Sequence, residues 1–468
     1  MTKDRCSLGR RIAFKIREQV ERGRRLDRAL ESCIQGVDPR ERAFAHELAY
    51  GVTRLRGRLD HLLSPHVHRG VDTLDPDVRE VLRLALYQLL YMNSVPDYAA
   101  VSESVAQVRS LAGKGAAGLA NAVLRKLAAG GADTAEFPDL DSDPLGFLTT
   151  WGSHPRWLVD RWLKRWGAQK VFDLIEANNT RPSACLTPLY SKAEEALKAL
   201  KMAGLDGDPV GYGTESLRLK RSSSPAAALA AFPEAVIQDP ASHLVTCYAN
   251  ISPGMEVADL CAAPGGKALT IATRVQSTLA ADYSESRMRM VQENAERTGV
   301  ELHCIVADAY NPPIKSADAI LLDVPCTGTG TLARHPDIRW RINPDSVSKI
   351  TGIQGRLLDS VAPLVSVGGL LIYSTCTLEP EENHELVANF FLRNPGFELE
   401  PSDTVDGEFL DENGYLCVHP DKDGRDGSFA ARLRRMQGLG ATTCAMARGR
   451  TSPTRRPPTG PESARPWR

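Results

Sequence analysis

Cys326 and Cys376 stand in two short polar segments, Pro325-Cys-Thr-Gly328 and Ser374-Thr-Cys-Thr377, and each segment closes an apolar run of strand type. A thiolate so placed can add to an electron-poor carbon and later leave, while a second thiol and a nearby carboxylate, here Asp323, manage the protons. That is the chemistry of covalent catalysis. A free thiol titrates near ~8.5, so the attacking cysteine needs local donors or a cation. Cysteine is most often a small buried hydrophobe. These two lie at strand ends rather than within strands, which favours chemistry over packing.

A second constellation precedes them. Val257-Ala-Asp-Leu-Cys-Ala-Ala-Pro-Gly-Gly-Lys267 reads as an apolar strand running into a small-residue turn and then into a helix over 267–275. Gly265 and Gly266 let a ligand approach the backbone, and the helix start offers free N–H groups. The G-x-G-x-x-G spacing of a dinucleotide site is absent. Asp282 ends the next strand, 16 residues past Gly266, close to the offset of roughly 20 at which a carboxylate meets a ribose diol. Asp308 ends the strand after that and suits an adenine edge. Singly each acid is a helix cap or a loop residue, but in this order they describe a nucleoside pocket for an adenosine cofactor.

These residues need one scaffold. From 255 onward strands alternate with helices: strands at 255–260, 278–281, 302–306, 319–322 and 368–373, helices at 285–298, 346–361 and 381–393. A parallel sheet follows, with every strand end on one edge, so distant residues meet over one crevice. Ahead of it lie a helical stretch at 154–163, a strand at 184–190 and a helix at 192–203. Trp157 and Trp162, five residues apart, read as packing residues.

The first 127 residues are helix after helix. Ile12, Ile16 and Val20 share a face; Phe44, Leu48, Val52, Leu55 and Leu59 form a longer stripe; Val78 to Met92 is apolar nearly all round and belongs at a bundle centre. A last helix is expected over 119–127. The net charge of −1 conceals basic ends around an acidic body: +7 over 1–127, −13 over 128–435 and +5 over 436–468. Basic ends suit a polyanion, with Arg54, Arg56 and Arg58 as expected phosphate contacts, although solvated helix faces explain the same charges. Residues 131–148, rich in Gly, Pro and Asp, read as a linker. The start of the chain lacks a signal-peptide core, no run of about 18 apolar residues occurs, and the ten cysteines include no C-x-x-C pair. A cytoplasmic chain without metal or disulfide framework is expected.

Four ordered motifs carry a resemblance: Asp259-Leu-Cys-Ala-Ala-Pro-Gly-Gly-Lys267, Asp323-Val-Pro-Cys-Thr-Gly-Thr-Gly330, Arg334-His-Pro-Asp-Ile-Arg-Trp340 and Tyr373-Ser-Thr-Cys-Thr377. Together they resemble the Nop/Sun family of RNA cytosine-C5 methyltransferases. The front, at Arg40 to Gly51 and Asn121 to Arg125, resembles the RNA-binding fold of the antitermination factor NusB, a combination closest to the bacterial small-subunit ribosomal RNA branch. The implied fold is multidomain: an all-α NusB-like domain (1–130), the linker (131–148), a small α+β domain (149–240), an α/β Rossmann-like class I methyltransferase domain (241–435) and a disordered basic, Pro-rich tail (436–468).

The resemblance implies S-adenosyl-L-methionine as methyl donor, bound by Cys261, Ala262, Ala263, Pro264, Gly265, Gly266, Lys267, Asp282, Arg287, Asp308 and Asp323. It makes Cys376 the nucleophile and Cys326 the second cysteine that helps release the methylated base, with Asp323, when protonated, hydrogen-bonding the ring. The implied partner of this monomer is small-subunit ribosomal RNA, with no metal and no membrane. Two other functions stay in view: a transfer RNA methyltransferase, against which the front domain argues, and a non-catalytic ribosome-assembly factor, against which the intact cysteines argue. Departures are Val324 for the usual Ala, Ser428 in place of an aromatic in Asp426-Gly-Ser-Phe429, and Ala184-Cys-Leu-Thr-Pro-Leu-Tyr190 in place of a more polar strand.

Overall fold

The computed structural model describes residues 6–131, 136–421 and 424–436. The tail expected to be disordered lies, from 437 on, outside the described residues. Five helices build the front: Leu8–Glu21, Leu26–Cys33, Pro39–Leu63, Pro76–Tyr91 and Asp97–Lys126. Asp38 and Asp75 cap the third and fourth through their side chains, each followed by proline at the first helical position, where its missing N–H costs nothing. The expected stripes pack inward, with Ile12, Ile16, Val20, Leu48, Val52, Leu55 and Leu59 all in one core. Gly51 is where two of these helices touch: a β-carbon there would stand 2.0 Å from the Tyr87 ring. The last helix is far longer than the expected 119–127, because Gly113 at φ +84° joins two helical halves end to end.

The apolar centre at 78–92 also carries charge. Arg17 Nε donates to Glu80 at 2.7 Å, Arg83 bonds Glu80 at 3.1 Å, and Arg83 forks onto Asp60 with two bonds of 2.7 Å. Flanked by two guanidinium groups, Glu80 overcomes its burial and titrates at about 2.

Within the stretch read as linker, Asp143 caps a helix over Pro144–Thr150, and Leu148 joins Leu158, Trp162 and Ile175 in a separate core. Trp162 is buried there, as a packing residue. The helix begun at 156 runs on to Asn179, bent at Gly167. A four-stranded antiparallel sheet follows: β1 (Cys185–Pro188), β2 (Gly207–Gly211), β3 (Thr214–Leu219) and β4 (Ala235–Ile237), in the order β2-β3-β1-β4, with helices Ala193–Met202 and Pro225–Ala231 between them. This β-α-β-β-α-β unit is the small α+β layer. Its β2–β3 hairpin turns on Tyr212 and Gly213, both at positive φ, the geometry of the tight hairpin turn.

Helix Pro240–Ala249 leads into the large mixed sheet: β5 (Glu256–Asp259), β6 (Ser277–Asp282), β7 (His303–Val306), β8 (Ala317–Asp323), β9 (Val365–Thr375), β10 (Phe397–Leu399), β11 (Leu416–Val418) and β12 (Ser428–Arg435). The order is β10-β12-β9-β8-β5-β6-β7, with β11 on β12. Strands β5 to β9 are parallel and meet the expected alternation, whereas β12 enters antiparallel beside β9. Buried on both sides over 319–322 and 369–373, β8 and β9 read there as continuous apolar runs.

The Arg334–Trp340 segment stitches these parts together. Arg339 is fully buried and bonds Asn179 Oδ1 at 2.8 Å, the Asn178, Ser153 and Leu332 carbonyls at 3.1–3.2 Å, and the Arg54 carbonyl at 3.4 Å. No carboxylate is among those partners, and burial next to Arg54 pulls its pKa well down. Of the arginines expected to hold phosphates, Arg54 is buried, while Arg56 and Arg58 are half-buried with protein partners. Arg54 donates to the Ala333 carbonyl at 2.9 Å, Arg56 stacks on Trp340 and pairs with Glu21, and Arg58 donates to the Trp151 carbonyl at 2.7 Å while covering its ring. Their sequence spacing gave helix-face cations, but the face is a seam between domains.

Candidate active site

Parallel pairing sets Leu322 against Tyr373 and Asp323 against Ser374, so the two cysteine turns leave the sheet side by side. The sulfurs of Cys326 and Cys376 lie 3.1 Å apart, and the Cys376 N–H points at the Cys326 sulfur at 3.4 Å. The contact with the other thiol, followed by burial and the charge of Glu382, holds the Cys326 thiol well above its ordinary range. Beneath them two backbones cross. Gly330 donates to the Cys376 carbonyl at 3.0 Å and accepts from Gly427 at 2.7 Å. A β-carbon on Gly330 would meet that carbonyl at 2.8 Å, which explains a glycine there.

Asp323 receives Lys267 Nζ at 2.8 Å on one oxygen and Ser374 Oγ at 2.7 Å on the other. Both oxygens are engaged, and Lys267 sets an ammonium donor beside the carboxyl. Burial pulls the Lys267 pKa down, but Asp323 outweighs it and leaves the ammonium above its usual value. The pair thus joins the glycine turn to the cysteine turns.

Along that turn Cys261 is half-buried, Ala262 and Ala263 are buried, the peptide before Pro264 is cis, and Gly265 takes φ +108°, where a side chain would be strained. Burial and the neighbouring acids push the Cys261 thiol up, so it stands as a neutral wall. Asp282, buried, accepts the Ser284 N–H at 3.1 Å and faces Arg287 at 3.4 Å, while Arg287 donates to the Ala263 carbonyl at 2.6 Å. Arg287 braces the turn and the acid together. The Asp282 carbonyl accepts from Ala307 at 3.1 Å, which brings Asp308 to the same edge, exposed and turned back onto the Tyr310 N–H at 2.9 Å.

Three acids and an amide that sequence reasoning missed complete the site. Asp259, 1 % exposed, is pushed up to about 7 by burial and by Asp323, against the opposing Cys261 N–H and Lys267. Its place at the end of the first strand was the available signal. Glu382 and Glu379, both buried, bond the threonines of the cysteine turns. Gln238, 8 % exposed, lies 3.2 Å from where a β-carbon of Gly266 would be, with neither polar atom of its amide paired. An unpaired buried amide against a glycine turn calls for a polar ligand. With Asp282 at the second strand end, this suits the amino-acid and ribose parts of S-adenosylmethionine. Among the described residues one cluster, His384, Asp411 and Cys417, has ligand atoms close enough for a metal.

Comparison with known proteins agrees with this layout. Residues 248–434 match a sequence model described as "16S rRNA methyltransferase RsmB/F", residues 8–129 one of the NusB family, and residues 154–225 a ferredoxin-like domain of RsmF/B-like methyltransferases. A probable ribosomal RNA small subunit methyltransferase B from Synechocystis sp. is 31 % identical over 91 % of this chain and 99 % of its own length. The ribosomal RNA small subunit methyltransferase B of Pseudomonas syringae pv. tomato is 33 % identical over 79 % and 83 %. Among solved structures, PH0851 superposes with a TM-score of 0.73 at 25 % identity, covering 91 % of this chain and 98 % of its own. No helix of the described residues is long and apolar enough to cross a membrane.

Proposed function

From the premise that the chain belongs to the RsmB/F family of ribosomal RNA methyltransferases, we propose that it methylates C5 of a cytosine in small-subunit ribosomal RNA. The donor in this reading is S-adenosylmethionine, and the route is a covalent bond from Cys376 to C6. When bound, the cofactor supplies an electrophilic methyl group. Gly265, Gly266 and Gln238 would hold its amino-acid end, Asp282 its ribose, and Asp308 its base.

The residues divide the remaining labour. C5 of cytosine is a poor nucleophile, but the Cys376 thiolate adding to C6 moves the C5=C6 electron pair onto C5. Lys267 can protonate the ring as negative charge builds on N3, and Asp323 can accept from the exocyclic amine. After methylation the C5 proton must leave so that the C5=C6 bond re-forms and the C6–S electron pair returns to sulfur. Cys326, a thiol, is the neighbouring group that can take that proton as its own passes to the departing Cys376 sulfur, 3.1 Å away. The base must also leave its stack, at a cost of a few kcal/mol, which favours a loop or unpaired target.

The observation that carries this reading is the pair of sulfurs 3.1 Å apart beside the Lys267–Asp323 pair. Incubation with radiolabelled ribosomal RNA followed by denaturing gels tests it. Cys376→Ala should lose both turnover and any covalent band, whereas Cys326→Ala should accumulate protein linked to RNA. The opposite pattern would exchange the two roles, and no band from either variant would remove the covalent route.

A further inference from the structure

Glu382 is a buried carboxylate with an unusual set of partners. Its oxygens accept the Thr327 N–H at 2.9 Å, the Thr327 hydroxyl, the Gln354 amide at 2.9 Å and the Thr377 hydroxyl at 3.1 Å. Thr327 follows Cys326 and Thr377 follows Cys376. No lysine, arginine or histidine is among those partners. Its own backbone is fixed as well: the Glu382 carbonyl accepts the Tyr373 hydroxyl at 2.6 Å, and Asn383 exchanges bonds with Thr375 and Thr377. A neutral glutamine could keep these ties, its oxygen taking the Thr327 and Gln354 N–H groups and its NH2 meeting the two threonine hydroxyls, which accept as well as donate. A carboxylate that burial alone disfavours has therefore been kept where an amide would nearly serve.

We propose that Glu382 is a positioning residue that gives the two thiols different jobs: it binds the Cys326 turn to the Cys376 turn and sets a buried negative charge against the peptide that follows Cys326. This rests on the two-cysteine reading above and adds to it the group that breaks the symmetry of the pair. Sulfurs 3.1 Å apart share protons. A carboxylate bonded to the peptide that follows Cys326 holds the proton on that sulfur, so Cys326 stays a thiol and Cys376 is left to attack. The raised titration of Cys326, to which Glu382 contributes, runs in this direction.

Alkylation separates the claim from catalysis. The full-length protein, without RNA, is treated with iodoacetamide across pH 6–10 and each cysteine is followed by mass spectrometry. Cys376 should be modified first in the wild type. In Glu382→Gln the Cys326 rate near pH 8 should rise by roughly tenfold, the equivalent of about one pKa unit, and the order should blur. Glu382→Asp keeps the charge and loosens the ties, so it should keep the wild-type order while lowering kcat more than it changes KM. An unchanged Cys326 profile in folded Glu382→Gln overturns the proposal, as does a blurred order in Glu382→Asp. Where Glu382→Gln does not fold, Thr377→Val removes one tie and leaves the charge, and loss of the alkylation order in that variant is equally fatal. If Cys376→Ala still forms the RNA adduct, the two-cysteine reading falls, while the alkylation order continues to judge Glu382 by itself.

Discussion

Glu80 in the front helices and Asp259 in the sheet are both buried carboxylates at the centre of their domains, yet their surroundings act in opposite directions. Glu80 sits between Arg17 and Arg83 and is held down at about 2. Asp259 sits among Asp323 and Asp282 with Lys267 committed elsewhere, and is held up at about 7. The first arrangement is closed: each charge has its partner and nothing remains for a ligand. The second is open, with acids crowded together so that cations, hydroxyls and a base have something to meet. Arg339 makes a third case, a buried cation whose terminal nitrogens meet carbonyls, an amide oxygen and the His154 ring but no carboxylate.

Breaking the closed network should have the largest effect. Glu80→Ala removes the buried carboxylate shared by Arg17 and Arg83, leaving them only the more exposed carboxylates of Glu21 and Asp60, and should cost about 3–5 kcal/mol in urea unfolding. A loss under ~1 kcal/mol would mean that the arginines reach water. The pH dependence sharpens the contrast. Glu80 has a folded pKa below its unfolded value, so its contribution of about 3 kcal/mol is present above pH 4.5 and is lost as pH falls toward 2. Asp259 has a folded pKa above its unfolded value, so its protonated form favours the fold at low pH. That contribution fades as pH rises from about 4 through 7. Subtracting Asp259→Asn from wild type in a pH series of unfolding curves should show this descending limb of a few kcal/mol, flat above pH 8; a flat difference throughout would place Asp259 in contact with water. The smallest effect belongs to Arg339→Lys, which keeps the charge but loses the fork. Loss of roughly 1–2 kcal/mol is expected, with faster amide exchange at Gly57, whose N–H bonds Ser153 across the seam.

Much of this was legible because periodicity and punctuation speak locally. The apolar stripes of the front helices and the strand ends of the parallel sheet follow from spacing alone, and the cysteines were found because they break an apolar run at its end. Other features were illegible for physical reasons. The β2–β3 hairpin turns on Gly211-Tyr-Gly213, a positive-φ turn signal between strands that carry Asp208, Pro209 and Glu215 and so lack a clean alternation. Arg54, Arg56 and Arg58 look like any solvated helix face until Arg54 meets the Ala333 carbonyl and Arg56 and Arg58 lie over Trp340 and Trp151. Glu382 lies in Pro380-Glu-Glu-Asn383, which reads as a helix start, and its partners are 5 and 55 residues away. No local pattern encodes a hydrogen bond of that length.

The seam around Arg339 has a consequence for how such a molecule could choose a target. Its acceptors come from the front helix at Arg54, the middle helix at Asn178 and Asn179, and Leu332, close to the Cys326 turn. The front helices are thereby fixed in distance from the sulfurs, as one jaw of a caliper is fixed to the other. On the function proposed above, an RNA held by the front helices would be gauged by length, because the seam sets how far it must reach to the two sulfurs.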